Sequence, residues 1–238
     1  MNDLAELRRV AIAGVALAVV VGVISTIAIF AAAGWDFEAA LFADPARILA
    51  GDTDRAPLWR LAMLTDMFFS YLLLAPLALY GHRLLRERRP WLADLGLMGA
   101  LGYILLGAGS AAILAIAGSS LIERHAMATG AEQAAIASQF ELLRDIFYFG
   151  IWQTLDAITA GVWLFSFGLL LLADRQHLGR LLVVLGVAFW ASGTMTMLGI
   201  HSIVVIAVIF IGALIAWLGW LVLIRRVRGQ SAAGRPAG

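Results

Sequence analysis

The chain lacks cysteine and lysine altogether and is poor in charge, with 14% Asp, Glu, Lys and Arg together. Without cysteine there are no disulfides, no thiolate nucleophile and no Cys-ligated metal centre. Without lysine there is no Schiff-base attachment of the retinal type. Phosphate loops of the Gly-x-x-x-x-Gly-Lys-Ser/Thr kind, Gly-x-Ser-x-Gly elbows and dinucleotide-binding glycine patterns are also missing. Nothing supports nucleic-acid binding, and no cofactor is implied.

What fills the chain is apolar sequence: 62% hydrophobic residues and a mean hydropathy of +0.91 over 238 residues. Such a composition specifies a polytopic, all-α membrane protein forming one membrane domain over 1–228, with 229–238 as a disordered tail. Segments as long as the ~20 residues that a bilayer requires fall at about 10–33, 58–81, 91–121, 146–173, 180–200 and 203–224. This predicts six transmembrane helices. Arg8 and Arg9 precede a run from Val10 to Ala33 that is long enough to span, so it reads as a helix and not as a cleavable signal. With both termini cytoplasmic, twelve arginines lie inside and five outside, which is the asymmetry of the positive-inside rule. The turn Arg83–Pro90 is basic enough to meet anionic lipid headgroups, and the outer side is acidic.

Two hairpins resemble each other. Arg83 follows Asp66 by 17 positions and Arg175 follows Asp156 by 19, each across an apolar run. Small residues four apart, such as Gly96 with Ala100, Gly107 with Ala111, and Gly212 with Ala216, let helix backbones approach closely. They serve packing within the chain or a seam with a second copy.

The segments Arg60-Leu-Ala-Met-Leu-Thr-Asp66, Leu77-Ala-Leu-Tyr80, Phe167-Gly-Leu-Leu-Leu-Leu172 and Leu178-Gly-Arg-Leu-Leu-Val-Val-Leu-Gly186 resemble those of a bacterial family of six-helix membrane proteins defined only as a domain of unknown function. That family commonly has a proline before the arginine that enters its fifth helix, where this chain has Leu178-Gly179-Arg180. The resemblance implies a six-helix fold and a bacterial inner membrane. It carries over no substrate, cofactor or catalytic residue.

Chemistry is concentrated on a few polar residues. Carboxylates in or beside a bilayer are costly and mark a partner, a water path or a site. Counting ~1.5 Å per residue from the inner turns puts Asp66 and Asp156 ~25–28 Å away, near the outer boundary of a ~30 Å core. At ~100° per residue, Glu141, Asp145, Tyr148, Trp152, Asp156, Thr159 and Trp163 share one face. That stripe either lines an outward-facing cleft or marks a helix leaving the membrane through the headgroup belt.

Arg60 or Arg144 could neutralise Asp66, or Asp66 and Asp156 could share a proton. His201, in the outer turn, could join Glu141, Asp145 and one of the aspartates as an N/O metal set. No ligand spacing supports that, so no metal is expected. The candidate ligand-binding set is therefore Asp66, Asp156, Glu141, Asp145, Tyr148, Trp152, Arg60, Arg144 and His201. It fits a protein that binds or transports a small or lipid-like, amphiphilic ligand between the second and fourth helices. The alternatives are a lipid-modifying membrane enzyme using the outer carboxylates and His201, and an accessory subunit. Expected partners are membrane lipids, and either a second copy or another membrane subunit.

Overall fold

Apolar runs longer than a bilayer needs become helices because lipid leaves every backbone N–H and C=O to be satisfied within the chain. A computed structural model describes residues 2–36, 45–50, 53–173, 177–200 and 203–233. Among them every regular element is helical. The helices are α1 (Asn2–Ala32), the short α2 (Pro45–Leu49), α3 (Arg55–Leu85), α4 (Pro90–Met127), α5 (Gly130–Leu172), α6 (His177–Met197) and α7 (Ile203–Ala233).

Five of these, α1, α3, α4, α5 and α6, are long and apolar enough to cross a membrane. Within α7 the stretch Ile211–Ile224 is apolar but shorter. The helix itself runs into the residues expected as a tail. The chain is thus an all-helical protein built for a membrane.

Each long helix packs on its chain neighbour, from α1 against α3 round to α6 against α7, and α7 returns to touch α1. The result is a ring of helices. Glycines make its tightest seam, between α5 and α6. A Cβ on Gly168 would lie 2.7 Å from the Val183 nitrogen, and one on Gly186 would lie 2.7 Å from the Phe165 nitrogen. Gly179 is equally closed in by the facing backbone, and Gly161 by the Trp190 indole and Gly186 O. Gly96, Gly107 and Gly212 also meet side chains of this same chain, namely Phe167, Tyr71 and Leu185. Small residues here serve intramolecular packing.

Helix ends are set by local chemistry. Pro90 opens α4 at the position where its missing N–H costs nothing, after an extended Arg89. Two ends carry a left-handed glycine. After α1, Gly34 (φ 66°) lets Trp35 N–H reach Phe30 O at 2.7 Å, with the two rings stacked at 6.4 Å. After α6, Gly199 (φ 74°) lets Ile200 N–H reach Met195 O at 2.8 Å. Both are Schellman closures, and the second lies where the sequence predicts the last hairpin to turn.

The largest difference from the expected layout is at 122–145, which reads as a polar connection. There α4 continues to Met127 and α5 begins at Gly130, so the two helices of 38 and 43 residues outrun the membrane. At 1.5 Å per residue they are about 57 and 65 Å long, against a core of ~30 Å. Their excess forms a helical cap with its own apolar centre, where Ile48 from α2, Trp59 from α3, and Ile122, Ile136 and Phe140 are all buried. Ile136 and Phe140 are four apart, and their polar neighbours Glu132, Ser138 and Glu141 are exposed. The stretch is amphipathic, which is what makes a helix of it.

At the opposite end the basic turn is tied down. His82 Nε2 lies 2.7 Å from Asp94 Oδ1, and Arg86 lies 3.5 Å from it. Arg88 donates to Leu170 O at 2.9 Å, near the C-terminal end of α5 where a cation opposes the helix dipole.

Candidate functional site

Three helices of the ring depart from regular α geometry, and two departures adjoin the conspicuous carboxylates. On α3, Asp66 is followed by a π-helical turn, Met67–Tyr71, and then a 3₁₀ turn, Leu72–Leu74. On α5, Asp156 ends a π-helical segment that begins at Asp145. A third π turn, Leu114–Gly118, lies on α4. Widened turns shift the register of everything beyond them and concentrate at functional sites. At their meeting point Tyr71, whose backbone is itself irregular (φ −127°, ψ −75°), donates its hydroxyl to Asp156 Oδ2 at 3.0 Å.

That bond crosses the ring from α3 to α5. Asp156 is 5% exposed, and its other oxygen, Oδ1, is buried with no hydrogen-bond partner among the described residues. Asp66 accepts from Ser70 Oγ at 2.8 Å, one helical turn on. Both carboxylates border a cavity of about 400 Å³, within the size range of small-molecule sites. Its lining comes from α1, α3, α4, α5, α6 and α7. It sits toward the end of the ring where α1 and α6 finish and α3 and α7 begin.

Aromatic rings make a large part of the wall. Tyr71 lies 4.9 Å from Tyr103 and 6.5 Å, stacked, from Trp152. Trp152 is met edge-on by Tyr148 at 6.1 Å. Gly107 makes this possible: a Cβ there would fall on the Tyr71 ring, and its carbonyl accepts the Trp152 indole N–H at 3.1 Å. Trp59 and Trp190 bond in the same way to Leu114 O and Ile158 O on neighbouring helices. Each supplies an indole N–H with an acceptor on a neighbouring helix, and Trp59 is fully buried.

The expected site residues separate into two groups. Asp66, Asp156, Tyr148 and Trp152 come together on the cavity, along with Tyr71, Tyr103, Ser70 and Gln153, which the sequence did not single out. Glu141 and Asp145 are exposed on the cap side of α5 and do not line it. Arg144 pairs with its neighbour Asp145 at 2.7 Å and lies over the Phe149 ring. Arg60 donates to Ser119 Oγ on α4 at 3.0 and 3.2 Å. No ion pair to Asp66 is found among the described residues. His201 lies outside the described residues, as do Glu38, Asp44 and Asp52 of the acidic outer side. Among the described residues, no three of His, Asp and Glu converge as metal ligands.

The expected position of Asp156 near the end of the membrane core does not expose it, because α4 and α5 continue past it as the cap. The resemblance between the two hairpins holds for the placement of the aspartates but not for their backbones. The π turn follows Asp66, whereas it precedes Asp156.

The arginine contacts have a direct consequence. Arg60→Ala removes a two-pronged donor to Ser119 in the cap, costing about 1 kcal/mol. Unfolding in detergent should register that loss while ligand binding at the cavity is unchanged. A binding defect as large as that of an aspartate substitution would tie Arg60 to the site after all.

Comparison with known protein families, with curated proteins and with solved structures finds no match to this chain.

Proposed function

We propose that this is a bacterial inner-membrane protein of six spans, with both termini cytoplasmic, that binds or transports a small or lipid-like ligand in the cavity between α3 and α5. The observation that carries this reading is the buried Asp156. Asp156 lines a cavity of about 400 Å³ with mainly apolar walls, and its Oδ1 is buried with no hydrogen-bond partner among the described residues. An orphaned buried carboxylate oxygen is costly, and a ligand group in the cavity would supply what the chain does not.

The sixth span is α7, whose apolar stretch Ile211–Ile224 completes the ring between α6 and α1. Arginine asymmetry supports the orientation, and in that orientation the cap and the cavity end of the ring face outward. The lipid-modifying enzyme has less behind it, since Glu141 and Asp145 stand away from the aspartates. A structure determined in lipid nanodiscs should carry non-protein density beside Trp152 and Asp156. A cavity filled by the protein's own side chains in that setting would overturn the ligand-site reading.

A further inference from the structure

The cavity has an uneven supply of hydrogen-bonding groups. Four of its hydroxyl protons are donated within the protein, Ser25 to Ala62 O at 3.1 Å, Thr26 to Gly22 O at 2.8 Å, Ser70 to Asp66, and Tyr71 to Asp156, and the hydroxyls of Tyr103, Tyr148 and Ser192 also line it. The Trp152 indole N–H goes to Gly107 O. Among the carboxylate oxygens of the lining, Asp156 Oδ1 is buried with no hydrogen-bond partner among the described residues. No arginine or histidine lines the cavity among the described residues, so two carboxylates face it without a basic counterpart.

A metal ion does not suit this lining, because hard cations need several oxygen ligands and no third carboxylate or imidazole converges here among the described residues. Aromatic faces do the opposite: Tyr103, Trp152 and Trp217 border the space, and such rings attract an organic cation while accepting its apolar body.

We propose that the cavity takes a monovalent organic cation, an amine or quaternary ammonium on an apolar body, with its charge at Asp156 and Asp66 and its body against the aromatic wall. The proposal rests on the cavity being a ligand site and adds the sign of the ligand's charge.

The test uses a matched pair of probes on the full chain in phosphatidylcholine nanodiscs, with empty nanodiscs subtracted, followed by titration calorimetry. Phenyltrimethylammonium and tert-butylbenzene have nearly the same shape and differ by one positive charge, and benzenesulfonate supplies the opposite charge. Phenyltrimethylammonium should bind at least tenfold tighter than tert-butylbenzene, and benzenesulfonate weakest of the three. Asp156→Asn should cut the cation's affinity at least tenfold and leave that of tert-butylbenzene within twofold. An asparagine side chain retains an acceptor for Tyr71, and unaltered binding of the neutral probe reports an intact cavity. Asp66→Asn should lower cation affinity as well.

Equal affinity for the matched pair, as a carboxyl that keeps its own proton would give, overturns the cation and leaves the ligand site standing. So does an Asp156→Asn variant that retains the preference. Binding of none of the probes, together with an empty cavity in the nanodisc structure, removes the ligand site itself.

Discussion

Tyr71→Phe is expected to destabilise the protein by about 3 kcal/mol, in the upper part of the range for orphaning a buried acceptor. The substitution keeps the ring against Tyr103 and Trp152 and deletes one oxygen. That oxygen donates at 3.0 Å to Asp156, whose other oxygen is already unpartnered. Asp156 would then stand inside the ring with neither oxygen bonded, the most expensive state available to a carboxyl.

The loss is largely offset when both partners are replaced. Tyr71→Phe combined with Asp156→Leu removes the donor and the acceptor together, and apolar groups of similar shape are tolerated at such positions. The double variant should recover most of the lost stability while losing cation binding. Unfolding in detergent, followed by helical circular dichroism for the two single variants and the double, measures the coupling directly. Independent, additive costs would mean that the Tyr71–Asp156 bond does not form in the membrane.

Much of the architecture is legible in the sequence because its causes are local. Apolar runs longer than a bilayer needs can only become helices in lipid, and Gly199 stops one of them by a left-handed closure that its neighbours complete. Asp66 and Asp156 are legible for a similar reason, since a carboxylate embedded in apolar sequence is costly wherever it points. The cap is legible only in part. Ile136 and Phe140 have helical spacing, but eleven polar residues in 122–145 mask it as a connection.

The partner of Asp156 is not legible at all. Tyr71 is one aromatic among many in an apolar run, and what aims it is the π-helical turn Met67–Tyr71. That turn has no sequence signature, because its extra residue is held by packing against another helix. Projecting α5 at ~100° per residue groups Glu141 and Asp145 with Asp156. The π segment from Asp145 to Asp156 advances by a smaller angle per residue, so a face drawn on either side of it does not continue through. Of the residues on that projected face, only Tyr148 and Trp152 share the cavity with Asp156.

Gly107→Val is expected to be the most damaging single change at the site, costing roughly 3 kcal/mol or more as an overpacked core position that forces backbone movement. The first atom of any side chain at 107 would fall on the Tyr71 ring, and valine adds two methyl groups beyond it. Tyr71 cannot yield easily, because it is buried between Tyr103 and Trp152 and bonded to Asp156. Pushing α4 away from α3 instead would pull the Gly107 carbonyl from the Trp152 indole. Either response separates the aromatic wall from the carboxylate, so stability and ligand binding should fall together.

Gly109, two residues along the same helix, provides the control, because a Cβ there meets nothing within 4 Å. Gly109→Ala should leave binding unchanged and raise stability by about 0.5–1 kcal/mol, the ordinary gain from replacing glycine inside a helix. The comparison keeps helix and depth nearly constant and sets a substitution on the buried face, at Gly107, against one on the exposed face, at Gly109. If the two variants unfold at the same denaturant concentration, Tyr71 does not lie across Gly107, and the wall of the cavity is built differently from the one described.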